Sequence, residues 1–197
     1  MLRFSLTILL FFSFALADSE YFERDIDHNA LKQCAAWFKD EPDQKMIYLH
    51  NGKTMTLKDE FAPSDHTIKD VLYTIKGCFS DENYLIFSQF IPDHELYFLL
   101  NMTNATLVPI EGMPYLSPKR ETFAVISDIP SIALYTFVKN TVQPITQFFF
   151  NDGCWLEKPL WINDHTFRVN LTCNDTTLNQ TLSVTATQDQ WKLIKTP

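Results

Sequence analysis

Residues 166–173 read TFRVNLTC, and this stretch decides the fold. Phe167, Val169, Leu171 and Cys173 share one phase, while Thr166, Arg168, Asn170 and Thr172 take the other. Successive side chains on an extended chain point to opposite faces. An apolar phase set against a polar one therefore predicts an antiparallel strand with one core face and one wet face. Residues 181–186 repeat the scheme, with Leu182, Val184 and Ala186 against Thr181, Ser183 and Thr185, and Trp191 and Leu193 continue it.

Upstream, strand-like runs occupy 67–76, 83–91, 95–101, 105–110, 122–127, 131–139 and 145–150. Turn chemistry separates them at Pro92-Asp93, Gly112-Met113-Pro114, Asp128-Ile129-Pro130 and Asn151-Asp152-Gly153. Residues 45–50 and 53–58 flank Asn51-Gly52, a pair suited to a two-residue type I′ hairpin whose turn positions both need positive φ. Only the start of the chain changes period. Ala30, Leu31, Cys34, Ala35 and Phe38 recur at helical spacing, Asp27 can cap the start and Pro42 stops the run, which predicts a helix over 28–40. About ten short strands at regular spacing indicate an all-β fold. It is expected to be an antiparallel barrel or a β-sandwich with one N-terminal helix. No internal repeat, linker or low-complexity tract interrupts 18–197, which reads as a single extracellular domain.

Composition limits the function classes. Against 16 Lys+Arg stand 24 Asp+Glu, a net charge of −8, which argues against nucleic acid as a partner. Apolar content of 46% suffices for a packed core, and four glycines are too few for glycine-rich phosphate loops.

Residues 1–17 have the plan of a secretory signal peptide: Arg3, an apolar run from Phe4 to Leu16, and the small-x-small end Ala15-Leu16-Ala17. The run is too short to span a bilayer, and no later stretch has spanning length, so no transmembrane segment is expected. The acidic residues that follow, 18–25, read as a solvated arm. A secreted location agrees with the four cysteines, Cys34, Cys78, Cys154 and Cys173. An even count in an oxidising compartment reads as two disulfides. Three pairings are open, of which Cys34–Cys78 with Cys154–Cys173 is the most local. Glycosylation sequons stand at Asn101, Asn104, Asn170, Asn174 and Asn179. A glycan must reach water, so each used site marks an exposed position. Asn101 and Asn104 are close enough to compete for one glycan.

Chemistry-bearing motifs are sparse. The chain has no G-x-S-x-G, no H-E-x-x-H, no P-loop and no C-x-x-C. Aspartate precedes histidine at Asp65-His66, Asp93-His94 and Asp164-His165. Adjacent residues on an extended chain diverge, so such a pair is no dyad, and aspartate favours turns for backbone reasons. The expectation is a binding protein without a catalytic step, cofactor or metal. Aromatics are abundant, with 17 Phe, 7 Tyr and 4 Trp. Phe87, Tyr97, Phe123 and Tyr135 lie on predicted strands and are the candidates to line a cavity for a small apolar ligand, as a closed eight-stranded sheet can hold one. Phe148-Phe149-Phe150 must expose at least one ring if extended. The alternative is a two-sheet sandwich, CUB-like or immunoglobulin-like, whose aromatics fill the space between the sheets and whose surface binds an extracellular protein, an immune or defence modulator being one such module. Trp37 follows Cys34 too closely for the immunoglobulin pattern.

Ala36-Trp37 running into Met46-Ile47-Tyr48-Leu49, together with Phe123–Asp128, resembles the secreted lipocalins of blood-feeding arthropods. There a short helix leads into the first barrel strand. The resemblance implies a lipocalin-like barrel and an extracellular carrier of small apolar or amine ligands. The G-x-W of that family is missing here, and no helix is expected after Cys154.

Overall fold

The computed structural model describes residues 28–60, 71–92, 94–127, 129–151, 153–174, 176–187 and 190–196, with the side chains of 176–179, 195 and 196 left aside. The expected signal peptide (1–17), the acidic arm, Asp27, His66 and the start of the 67–76 run lie outside these residues. The fold is all-β and antiparallel, with one short N-terminal helix. The chain falls into two compact units, one comprising 1–92 with 102–104 and the other 93–101 with 105–197.

In the first unit, helix α1 (His28–Gln33) leads through a 3-10 turn (Ala35–Trp37) into strands β1 (Phe38–Glu41), β2 (Gln44–Tyr48) and β3 (Thr54–Lys58). The helix expected over 28–40 is thus cut to its first half. Phe38–Glu41 pairs instead with Gln44–Ile47, closing a hairpin over Pro42-Asp43. Pro42 therefore does not end the helix, which stops at Gln33; it lies in the turn of this hairpin, where its fixed φ suits the bend. Cys34, fully buried, is disulfide-bonded to Cys78 on β4 (Leu72–Phe79), which holds the end of the helix against that strand. β4 pairs with β5 (Tyr84–Ile91). In β5 the run Tyr84-Leu85-Ile86-Phe87 is buried without alternation, the mark of a strand covered on both faces.

The β2–β3 hairpin differs from the expected type I′ turn. Gly52 has φ +80°, whereas Asn51 is not in the left-handed region. The amide of Gly52 donates to Leu49 O at 3.0 Å, and Leu49 N donates to Lys53 O at 2.9 Å, so the loop has three residues with glycine last. Asn51 Oδ1 accepts from Lys53 N at 3.0 Å, an Asx turn that offers its own geometry. The paired positive φ values occur elsewhere. Lys139 (φ 47°) and Asn140 (φ 64°) join β10 to β11 across the Val138–Thr141 pair.

In the second unit, β6 (His94–Asn101) pairs with β7 (Leu107–Ile110). Strands β8 (Gly112–Leu116), β9 (Thr122–Ser127), β10 (Ser131–Val138) and β11 (Thr141–Phe149) form a sheet in the order β11-β10-β9-β8. Another sheet runs β12-β14-β15-β16 through β12 (Cys154–Leu156), β14 (Thr166–Cys173), β15 (Thr176–Thr187) and β16 (Gln190–Thr196), with β13 (Leu160–Asn163) also paired to β14. The two sheets share a core. Ala124, Ile132 and Leu134 meet Phe167, Val169 and Leu171 of β14 and Leu182 and Val184 of β15, in the phase read from TFRVNLTC. Burying each large apolar side chain there contributes roughly 1.5–3 kcal/mol.

Gly112-Met113-Pro114, expected as a turn, is the first half of β8. Its proline is tolerated because β8 is an edge strand, as are the strands bearing Pro109 and Pro144. Gly112 is required by contact: a Cβ there would run into the Ile126 carbonyl, whose carbon would lie 2.9 Å away. Both disulfides, Cys34–Cys78 and Cys154–Cys173, follow the most local pairing, and Cys154 lies directly opposite Cys173 in the β12–β14 register.

Candidate functional site

The β8–β11 sheet turns Ala124, Ile132 and Leu134 to the core, so the residues between them face the other way. On that second face Tyr135 stands opposite Phe123 in the β9–β10 register. Their rings stack at 5.1 Å with an interplanar angle of 11°, and Phe137 tilts onto Phe123 at 5.2 Å. A bulge between Leu134 and Tyr135 interrupts the pairing with β11 beside Pro144, a device that re-aims side chains. Phe123 is buried and Tyr135 half-buried. Burial pushes the Tyr135 phenol pKa up, and the negative charge of Glu111 adds to the shift.

Toward the Ser131 end of β10 the same sheet carries a polar knot. Glu111 Oε2 accepts from Gln147 Nε2 at 2.6 Å and from Ser131 Oγ at 3.3 Å. Gln147 Nε2 also donates to Ser131 Oγ at 3.3 Å. Phe149 pairs with Ser131 in register, and Phe150 N donates to Pro130 O at 2.8 Å. Phe148 and Phe150 pack against the core cluster, while Phe149, the middle ring of the three, is 71% exposed. Ile129, in the turn joining β9 to β10, is likewise 71% exposed. One end of this sheet thus presents an aromatic and an aliphatic side chain with the Glu111 carboxylate and Gln147 amide. Ser131 is 1% exposed, which closes its hydroxyl to an incoming substrate. The arrangement suits recognition, with apolar anchors and an anionic acceptor.

Of the four expected ligand-lining aromatics, the structure brings together Phe123 and Tyr135. Phe87 is buried in the first unit with Tyr73 tilted against it at 6.3 Å. Tyr97, buried on β6, donates its hydroxyl to Glu95 Oε2 at 2.9 Å. Asp164 does not serve His165; its carboxylate accepts the Lys119 backbone N–H and lies 3.7 Å from Lys119 Nζ. Sequence reading missed Glu111, Gln147 and Ile129, which converge from separate strands and turns and form no motif. The exposed Phe149 was signalled by the Phe148–Phe150 run.

The sequons differ in setting. Asn101 is 2% exposed and donates its amide to Asn140 O at 3.2 Å. Asn104, in the turn after β6, is exposed, as are Asn170 and Asn174. Asn179 falls where only the backbone of β15 is described. No helix among the described residues is long and apolar enough to cross a membrane.

Comparison with known proteins adds little to this geometry. No family model matches the chain, and no curated protein matches it. Among solved structures it is similar to a crystal structure of a protein from Lactobacillus plantarum, with a TM-score of 0.42 and 12% identity over 77% of this chain and 49% of that one. The chain therefore spans about half the length of that protein.

Proposed function

We propose that the chain is a secreted, N-glycosylated, disulfide-bonded binding module without a catalytic step, and that its partner is another extracellular protein. The observation that carries this reading is the end of the β8–β11 sheet. Phe149 and Ile129, each 71% exposed, stand there beside the Glu111–Gln147 pair. Exposed aromatic anchors bordered by polar groups are the usual energetic centre of a protein interface. The aromatics deeper on the same face are already packed on one another, which favours the surface over an interior pocket. Two disulfides and the leader-like residues 1–17 support export. Asn104, Asn170 and Asn174 are exposed and have room for glycans; Asn101, with its amide turned inward, does not.

The second reading, a carrier of a small apolar or amine ligand as the arthropod lipocalin resemblance implies, is favoured by one feature. Two of the expected ligand-lining aromatics, Phe123 and Tyr135, meet on one face of the sheet with Tyr135 half-buried. Two measurements on the full chain secreted from eukaryotic cells separate the readings. Native mass spectrometry should give the glycoprotein mass alone, and extracellular fluid from the natural source should yield a stoichiometric protein complex. Phe149→Ser together with Ile129→Ser should abolish the complex while leaving the thermal midpoint unchanged. A co-purifying small molecule lost on Tyr135→Ala would overturn the protein-binding reading.

A further inference from the structure

The outer face of the β12–β16 sheet carries exposed apolar side chains of its own. Because Phe167, Val169 and Leu171 enter the core, Arg168, Asn170 and Thr172 of β14 face outward. Residues paired in register share a face. Trp155 pairs with Thr172, Leu160 with Arg168, and Ile194 with Ser183, itself the other partner of Arg168. Trp155 is 50% exposed, Leu160 66% and Ile194 52%. Asn170 lies on the row between them, about 7 Å along the strand from each flanking row. A sequon therefore stands among these three exposed apolar side chains, on a face whose other named residues are polar.

The asparagine is also held in a fixed orientation. Its Nδ2 donates to Glu157 Oε2 at 2.8 Å, and its Oδ1 accepts from Thr181 Oγ1 at 3.1 Å. In N-glycosylation, C1 of the first sugar leaves its lipid-linked diphosphate donor. The C1–O bond breaks, a bond from C1 to Nδ2 forms, and Nδ2 gives up one of its two protons to the transferase. The remaining N–H can still donate to Glu157, and Oδ1 can still accept from Thr181. Both hydrogen bonds are compatible with the modification.

The geometry points to the chain's own Asn170 glycan as the cover of this face, with its first N-acetylglucosamine laid against the Trp155 indole. The C–H bonds of a pyranose ring present partial positive charge, and the indole face presents the negative side of its quadrupole. A partner protein could not seat on Trp155 and Leu160 without displacing a glycan planted between them. The apolar side chains are thus shielded rather than offered for docking. This inference rests on the glycosylation proposed above.

The test uses the full chain secreted from eukaryotic cells with isotope-labelled sugars. Peptide mass spectrometry first reads occupancy at Asn170, and NMR then reads the ring protons of each first N-acetylglucosamine. The sugar on Asn170 is expected upfield of those on Asn104 and Asn174, with cross-relaxation to the Trp155 ring. The shift is expected to vanish in Trp155→Ala and to persist in Trp155→Phe. An occupied Asn170 whose sugar resonances match those of the other glycans overturns the stacking, whereas an empty Asn170 overturns the glycosylation on which it rests.

Discussion

Asp59→Ala in the first unit is expected to cost about 3 kcal/mol of folding stability. Asp59 follows β3 and has two tasks. Its Oδ2 lies 3.3 Å from Lys45 Nζ, and its Oδ1 accepts the Tyr73 backbone N–H at 2.8 Å. Both members of the pair are withdrawn from water, with side chains 10% and 6% exposed for Lys45 and Asp59. Removing one partner of such a pair leaves an uncompensated buried charge, typically a loss of roughly 3–5 kcal/mol. One feature moves the value to the low end. Lys45 Nζ keeps Asp40 Oδ1 at 3.1 Å, and that carboxylate is 60% exposed and partly screened. Asp59→Asn can keep the bond to Tyr73 while losing the charge, so about 2 kcal/mol is expected. Lys45→Met with Asp59→Leu should recover to within about 1 kcal/mol of wild type, since a well-packed apolar pair commonly replaces a buried ion pair without loss. Urea denaturation of the four proteins, with slopes compared to confirm a common unfolding transition, provides the assay. Thermal melting should drop by about 9 °C for Asp59→Ala. A loss below about 1 kcal/mol for Asp59→Ala, or a double variant as unstable as Asp59→Ala, would refute the clasp.

Three further outcomes follow from other parts of the fold. Gly112→Ala should lose about 3 kcal/mol, read from the denaturation midpoint, because the added methyl meets the rigid Ile126 carbonyl rather than a yielding side chain. In the entropy account of cross-linking, replacing the cysteines spanning 44 residues (Cys34–Cys78) by serine should cost about 4 kcal/mol, against about 3 kcal/mol for Cys154–Cys173, which spans 19; equal losses in denaturant titrations would contradict the loop-length argument. The Tyr135 phenol pKa is raised in the folded state, chiefly by burial and then by Glu111. Its contribution is therefore whole below the unfolded tyrosine value of about 10 and is lost as pH climbs through the folded value. Melting curves should fall less steeply above pH ~10 in Tyr135→Phe than in wild type, and identical pH profiles would refute the assignment.

The sequence revealed most where one face of a strand is wet. β14 has the boundaries that its pattern predicted, 166–173, because each step of the chain exchanges core for solvent; β9 also spans its expected 122–127, although Phe123, Ala124 and Val125 are buried in succession. Periodicity failed where the environment is not two-faced. Phe38–Glu41 fitted a helical register, yet β2 pairs with it, and hairpin hydrogen bonds outweigh the local preference of a few residues. β12 and β13 were missed because strands of three and four residues offer too few alternations to register. Gly112 and Pro114 read as a turn because sequence shows what a residue permits and not what lies beside it. On an edge strand with a carbonyl against the glycine, both residues serve a ladder.

The same distinction explains the site. A lone ring in a Phe-Phe-Phe run is forced outward by strand geometry alone, so Phe149 was legible without tertiary knowledge. Glu111, Ser131 and Gln147 converge on shared hydrogen bonds from positions up to 36 residues apart, and no spacing rule encodes that meeting. It also follows that exposed apolar groups on this chain need not have one meaning. Phe149 stands beside the Glu111–Gln147 pair with no sequon on its strand, whereas Trp155 stands diagonally from Asn170. Two surfaces of similar exposure thus receive opposite assignments, one open to a partner and one closed by sugar, and what separates them is the chemistry of the residue next to the ring rather than the ring itself.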